Sequence, residues 1–154
     1  MLNLKALFEP RSVAIVGAST RSGSVGSDTL NNLIDSGYKG KVYPVNPKVK
    51  SLHSLKCYAS LSQIKGKIDL ALIIVPAAIV PNILREAGEL GIPAAIIISA
   101  GFRDAGRDDL EQEIKEIAHK YNIAVLGPNC LGLINPAKKL NLSFAPLMLS
   151  LIHI

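Results

Sequence analysis

Residues 17–26 (GASTRSGSVG) combine the residue types that proteins use to hold phosphate groups. Three glycines let the backbone turn tightly and come close to a ligand, and four Ser or Thr hydroxyls can donate hydrogen bonds. A helical pattern begins at Val25, so the positive end of its dipole points at the same place. The stretch predicts an anion site, most simply for a phosphate. We therefore expect Gly17→Val to abolish ligand binding.

This stretch matches neither of two common nucleotide-binding motifs. It contains no GxGxxG, the dinucleotide fingerprint, and no Lys-Ser or Lys-Thr pair follows Gly23, as a Walker-type phosphate loop requires. A glycine turn that only reverses the chain is the simpler alternative.

The end of the second predicted strand narrows the choice of ligand. An NAD site expects an acidic residue there to accept the ribose hydroxyls, but this sequence has Asn46 and Lys48. A lysine suits a phosphorylated ribose, which leaves NADP or coenzyme A. Lys48 can equally be a solvated loop charge.

Alternating strand and helix patterns predict the scaffold that positions these residues. Apolar runs predict strands at 13–16, 41–45, 69–75, 94–98 and 123–126. Helical spacing predicts helices at 25–36, 77–90 and 108–121, with one short helical turn at 59–64 in an otherwise irregular segment. This rhythm predicts an α/β fold with a doubly wound parallel sheet, in which ligands bind at the carboxyl ends of the strands.

Length and composition exclude several classes of protein. The 154 residues suit one domain, and 49% of them are hydrophobic, yet prolines break the apolar stretches before any reaches the length of a membrane span. The net charge of +5 is spread along the chain without a basic stripe, so we expect no nucleic-acid partner. Cys57 and Cys130 lack disulfide or CxxC spacing, and Glu9 and Pro10 interrupt any signal peptide, which favours the cytoplasm.

Six short motifs, in unbroken order, resemble one family. They are LFEPRSVAIVGAS at 7–19, GKVYPVNPK at 40–48, DLA at 69–71, VPA at 75–77, SAGF at 99–102 and GPNCLG at 127–132. Together they resemble the amino-terminal CoA-binding domain of the NDP-forming acyl-CoA synthetases, which include the ADP-forming acetate–CoA ligases and the succinyl-CoA synthetase α subunit. Each motif is weak alone, but their order over residues 7–142 is specific.

The resemblance implies a Rossmann-like domain, residues 1–142, that holds coenzyme A. It places the glycine loop at the nucleotide and pyrophosphate, Lys48 near the 3′-phosphate, the VPA motif beside the adenosine or pantetheine, and the SAGF and GPNCLG motifs near the thiol. The residues expected at the ligand are Gly17, Ala18, Ser19, Thr20, Ser22, Gly23, Gly26, Asn46, Lys48, Val75, Pro76, Ala77, Ser99, Ala100, Gly101, Asn129 and Cys130. No catalytic residue and no metal ligand is expected in this chain.

The resemblance also implies the chemistry to which such a domain contributes. In the family, an acyl phosphate forms with help from a nucleoside triphosphate, a phosphohistidine carries the phosphoryl group, and the CoA thiolate attacks the acyl group. The phosphohistidine domain and the ATP-grasp domain or subunit, which use ATP or ADP and Mg, are expected as partners outside this chain.

Three other functions stay open at this point. A stand-alone CoA- or nucleotide-binding regulatory protein would perform no reaction. A protein acetyltransferase would attach an acetyl-transferring domain to the same synthetase-like region. A dehydrogenase is disfavoured because the dinucleotide fingerprint and the acidic residue are missing.

The final residues depart from the family pattern. Residues 149–154 (LSLIHI) resemble the translation of a transposase mosaic-end adapter used in sequencing libraries. We therefore expect residues 143–154 to be a truncated continuation of the family sequence that ends in an adapter-derived tail. An authentic short protein with an apolar tail is the alternative.

Overall fold

A five-stranded parallel sheet forms the centre of the structure, a computed structural model that describes residues 3–146. The strands are β1 Ser12–Val16, β2 Lys41–Val45, β3 Ser51–Leu52, β4 Leu55–Lys56, β5 Leu70–Ile73, β6 Ala94–Ile97, β7 Ala124–Leu126, β8 Ile134–Asn135 and β9 Leu140–Asn141. The α-helices are α1 Leu4–Phe8, α2 Val25–Asp35, α3 Val80–Glu89 and α4 Asp108–Tyr121. Short 3₁₀ turns lie at Leu61–Gln63, Ala77–Ile79, Arg103–Ala105 and Pro136–Lys138.

The central strands are apolar because both faces of the sheet are covered. All residues of β1, β5 and β6 are buried. Helices α3 and α4 pack on one face with Ala14 and Ile73, and helices α1 and α2 pack on the other with Val13 and Leu72. The alternation of side chains along each strand thus divides the core into two layers, as expected for a doubly wound sheet.

The strand order places a crevice beside β1. The order is β2-β1-β5-β6-β7, and every neighbouring pair in this sheet is parallel. The chain runs outward from β1 in both directions, so the connections after β1 and after β5 leave the sheet on opposite faces. Their divergence at the carboxyl ends of these strands creates the ligand crevice typical of such sheets.

Most predicted elements are confirmed, but several strands end one or two residues away from the predicted positions, the β8–β9 pair was not predicted, and three further details differ. The predicted helix at 77–90 begins as a 3₁₀ turn before α3, with Pro81 in its first turn, where a missing N–H is harmless. The segment predicted to be irregular contains the β3–β4 hairpin as well as the predicted turn. Helix α1 was not predicted, and residues 149–154 of the predicted tail lie outside the described residues.

Tyr38 joins two connections at the amino ends of the strands, and its titration predicts a pH dependence. The hydroxyl donates to the Pro10 carbonyl oxygen at 2.8 Å. Burial, and secondarily the Asp69 carboxylate, raises the pKa of Tyr38 from 10.0 to about 12. Between those two pH values the unfolded chain loses this proton first, so the free energy of unfolding falls as pH rises.

We expect Tyr38→Phe to lower the free energy of unfolding by about 1 kcal/mol at pH 8. The deficit relative to the parent chain should shrink from pH 10 to pH 12, as the hydroxyl's contribution is lost. Urea unfolding of both proteins at a series of pH values measures this difference. A deficit that stays constant up to pH 12 would show that Tyr38 does not titrate in this way.

Candidate functional site

Two neighbouring cavities occupy the carboxyl edge of the sheet. The β2-side cavity, about 400 Å³, lies between the ends of β1, β2 and β5 and the side of α3. The β7-side cavity, about 480 Å³, lies between the ends of β5 and β6, the start of α2 and the loop after β7. Ile74, Val75 and Pro76 line both, so the two cavities meet along the segment that follows β5.

The β2-side cavity combines apolar walls with two opposite charges. Pro76, Ile79 and Ile83 contribute apolar surface, whereas Lys48 and Glu86 bring a cation and a carboxylate. Such a mixture can bind a flat apolar ring while recognising polar groups at its two ends.

Asn46 holds the loop that presents Lys48. Its side-chain amide donates to the Ala18 carbonyl oxygen at 2.7 Å, and its side-chain oxygen accepts from the Lys48 backbone N–H at 2.9 Å. The loops after β1 and β2 are therefore fastened to each other through one side chain. Asn46 positions Lys48, whose own ammonium group lies at the surface.

The β7-side cavity is mainly apolar, with a polar seam formed by Ser99 and Asn129. The Ser99 hydroxyl accepts a hydrogen bond from the Val75 N–H at 3.1 Å, and the Ser99 backbone carbonyl oxygen accepts one from the Asn129 N–H at 3.0 Å. Ser99 thus links the ends of the three strands β5, β6 and β7. The neighbouring Leu131 is 54% exposed at this cavity.

Cys130 also lines the β7-side cavity, but its thiol is turned toward the sheet. The Sγ lies 3.4 Å from the Ile97 carbonyl oxygen, to which it donates. Burial raises the pKa of the Cys130 thiol, which keeps it in its unreactive protonated form at neutral pH. The geometry supports a packed thiol rather than a nucleophile.

Close backbone packing explains two glycines of the first loop. Gly17 has φ +94°, and a Cβ there would overlap the Ile74 carbonyl oxygen; a Cβ on Gly26 would overlap the Gly17 carbonyl oxygen. The Gly17 N–H donates to the Val45 carbonyl oxygen at 3.0 Å, so it is not free for a ligand. Contact with the neighbouring strand therefore already requires glycine at 17, and approach of a ligand to this residue stays a prediction.

The start of α2 still offers donors to a ligand. Ser24 caps the helix by accepting from the Ser27 N–H at 3.3 Å. The N–H groups of Val25 and Gly26 have no acceptor among residues 3–146. Because Val25 lines the β7-side cavity, this helix terminus can present free amides and its positive dipole end to an anion there.

The side chain of Asp104 accepts hydrogen bonds from the backbone amides of the loop after β6. Its carboxylate accepts from the N–H groups of Phe102 and Gly101, at 2.9 and 3.0 Å, and these bonds lower the pKa of Asp104. Phe102 is buried, which anchors the loop in the core. Gly101 therefore shapes this loop and has no free N–H for a ligand.

Comparison with known protein families identifies the type of domain. A family described as a CoA binding domain matches residues 11–136, most of the described chain. The chain belongs to this family. The motifs quoted from the sequence are thus confirmed as those of a CoA-binding domain.

Relatives of this CoA-binding domain are larger proteins. The ADP-forming acetate–CoA ligase of Methanocaldococcus jannaschii is 48% identical over 142 residues, which are 92% of this chain and 20% of the relative. The subunit alpha of ADP-forming acetate–CoA ligase I of Pyrococcus furiosus is 42% identical over 151 residues, 94% of this chain and 33% of the relative. The chain therefore spans a fifth to a third of the length of these relatives.

Solved structures confirm the Rossmann-like fold of the CoA-binding domain. The dinucleotide forming acetyl-coenzyme A synthetase 1 of Ca. Korarchaeum cryptofilum, solved in complex with phosphate and ADP, is 41% identical and superimposes with a TM-score of 0.91. The match covers 95% of this chain and 32% of that one.

The sequence-predicted ligand residues separate into two groups. Those that line one or both cavities are Gly17, Asn46, Lys48, Val75, Pro76, Ser99, Ala100, Asn129 and Cys130. Those that line neither cavity are Ala18, Ser19, Thr20, Ser22, Gly23, Gly26, Ala77 and Gly101. The second group belongs to the loops around the cavities, the first turn of α2 and the 3₁₀ turn before α3. Contact with a ligand stays a prediction for both groups.

Several cavity residues were not predicted from the sequence. Glu86, Ile79 and Ile83 come from α3 and the turn before it, and Phe144 comes from the carboxyl-terminal segment. An amphipathic helix reveals which face is apolar but not which of its polar residues borders a cavity. Only the packing of α3 beside β5 brings Glu86 to the site.

Two kinds of feature are absent from residues 3–146 of the CoA-binding domain. Within that range, no helix combines the length and apolar composition needed to cross a membrane. No group of three or more His, Cys, Asp or Glu side chains is placed there to hold a metal ion.

Proposed function

We propose that coenzyme A lies along the carboxyl edge of the sheet, with its adenosine 3′-phosphate in the β2-side cavity and its pantetheine arm extending to the β7-side cavity. The observation that carries this proposal is the meeting of the two cavities at Ile74, Val75 and Pro76, with Lys48 on one side and Asn129 on the other. A long ligand with a charged nucleotide end and a less polar arm fits such a divided site.

The chemistry of the lining residues supports this orientation. Lys48 brings an ammonium group to the β2-side cavity, where it can donate charge-assisted hydrogen bonds to a phosphate. The free amides of Val25 and Gly26 can bind the pyrophosphate as the ligand passes from one cavity to the other. The apolar β7-side cavity suits the pantetheine arm, which carries few charged groups.

We further propose that the domain, residues 1–142, serves an ADP-forming acyl-CoA synthetase in the cytoplasm. Support comes from the ADP-forming ligases among the relatives and from the free thiols of Cys57 and Cys130. CoA would supply the thiol that accepts the acyl group. This chain would bind and orient it, whereas a phosphohistidine domain and an ATP-grasp domain or subunit would handle ATP, ADP and Mg.

Calorimetric titration of the full chain with CoA and with NADPH tests the proposal. We expect CoA to bind and NADPH to bind far more weakly, because its nicotinamide ribose half is more polar than the pantetheine arm and matches the mainly apolar β7-side cavity less well. Binding of NADPH with no response to CoA would overturn the proposed function and favour a dehydrogenase.

A further inference from the structure

We infer that Glu86 is a specificity-determining residue, whose carboxylate accepts a hydrogen bond from the exocyclic 6-amino group of the adenine base. This inference rests on the proposed function, because it assigns the nucleotide end of CoA to the β2-side cavity. It adds a determinant for the base at a residue outside the sequence motifs.

Glu86 is held in place by a bond that uses one oxygen. It lies on α3, is half-buried, and its Oε1 accepts from the Ser62 backbone N–H at 2.9 Å. This contact supplies an acceptor at the start of the 3₁₀ turn Leu61–Gln63. The described residues provide no hydrogen bond or ion pair to Oε2, so that oxygen remains available to a ligand in the cavity.

The surroundings of Glu86 suit a purine ring. Ile83 lies one turn before it on α3, and Ile79, Pro76 and Leu61 add further apolar surface to the same cavity. Ile79 is 45% exposed although it is a large aliphatic residue beside the cavity mouth. A base that covers this surface would remove apolar area from water and leave only its polar edge to be matched.

The charge of Glu86 is the informative feature. A carboxylate in a cavity that receives a phosphate is unfavourable unless it meets a donor, and an ionised carboxylate can only accept hydrogen bonds. A neutral glutamine would serve the Ser62 N–H equally well. Adenosine 3′-phosphate carries acceptor oxygens on its ribose, which complement Lys48, and a donor amino group on its base, which complements Glu86.

The test compares CoA with an analogue in which purine replaces adenine, so that only the amino group is missing. Calorimetry gives both dissociation constants for the parent chain and for Glu86→Gln. For the parent chain we expect the analogue to bind about tenfold more weakly, the lower range for a hydrogen bond to a charged group. In Glu86→Gln the ratio should fall to about twofold or less, because the amide has a donor where the carboxylate had an acceptor.

Glu89→Gln is the matched control, since Glu89 lies on the same helix, is exposed and does not line the cavity. It should keep the tenfold ratio of the parent chain. Equal ratios in the parent and Glu86→Gln would overturn the inference and leave Glu86 as an acceptor for Ser62 alone.

The parent chain alone can overturn the inference, even if Glu86→Gln does not fold. A ratio near one there means that the amino group is not recognised, while CoA binding itself stands. If the parent chain binds neither compound, the proposed function fails, and this inference fails with it.

Discussion

Gly17→Ala is expected to lower the free energy of unfolding by about 4 kcal/mol, a large part of the stability of a domain this size. Two effects add at this position. The backbone has φ +94°, which side chains rarely adopt, and the new Cβ would overlap the Ile74 carbonyl oxygen. To relieve the overlap, β1 and β5 would have to move apart at their carboxyl ends, where the Ile74 N–H donates to the Val16 carbonyl oxygen at 2.8 Å.

Gly23→Ala separates these two effects. Gly23 also has positive φ, at +71°, but a Cβ there would meet no atom within 4 Å. We expect it to cost only about 1 kcal/mol, the conformational penalty without the overlap. Urea unfolding of the two variants measures the difference directly.

Equal destabilisation by the two alanines would show that the contact with Ile74 does not constrain the loop. The difference also clarifies binding experiments. Loss of CoA binding in a Gly17 variant would follow from loss of the fold, so it could not by itself place the ligand at this loop.

Short-range sequence signals were sufficient to predict many of the strands and helices. Strand β2 ends before Pro47 and helix α4 begins at Asp108, and both elements have the bounds that the sequence predicts. Proline lacks the N–H that a sheet ladder needs, and acidic residues favour the first turn of a helix, so each signal acts within a few residues of the boundary.

The parts of the site that sequence could not reveal depend on contacts between distant segments. Gly17 follows β1 and packs against Ile74, which follows the adjacent strand β5. Glu86 accepts a hydrogen bond from Ser62, which lies 24 positions earlier in the chain. The pattern of glycines near residue 17 correctly indicates a special loop. It does not distinguish a glycine that admits a ligand from one that admits a neighbouring strand.

Asn46 shows the same ambiguity at the second loop. Its position after β2 is where a nucleotide-binding fold places a ribose contact, which made it a predicted ligand residue. In the structure both ends of its side chain are occupied by Ala18 and Lys48. Asn46 therefore positions Lys48, while its own contact with a ligand stays a prediction, and the lysine gives the sharper test of a ligand contact in this loop.

Lys48→Ala should weaken CoA about 10- to 100-fold and leave dephospho-CoA nearly unchanged, because a phosphate contact with a lysine is a charge-assisted hydrogen bond. The two ligands differ only in the 3′-phosphate, so the ratio of their affinities isolates that group. Lys48 is exposed, and solvent screening favours the lower end of the range.

Calorimetry at two salt concentrations measures the effect, which should diminish as salt rises. Lys50→Ala is the matched control, since Lys50 is exposed on the same loop but does not line the β2-side cavity. It should change the affinity for CoA by less than about twofold, the size of a distant screened charge. Equal losses of CoA and dephospho-CoA in Lys48→Ala would remove the lysine from the 3′-phosphate. The β2-side cavity would then have to bind the nucleotide through its apolar walls and Glu86, with the phosphate directed into solvent.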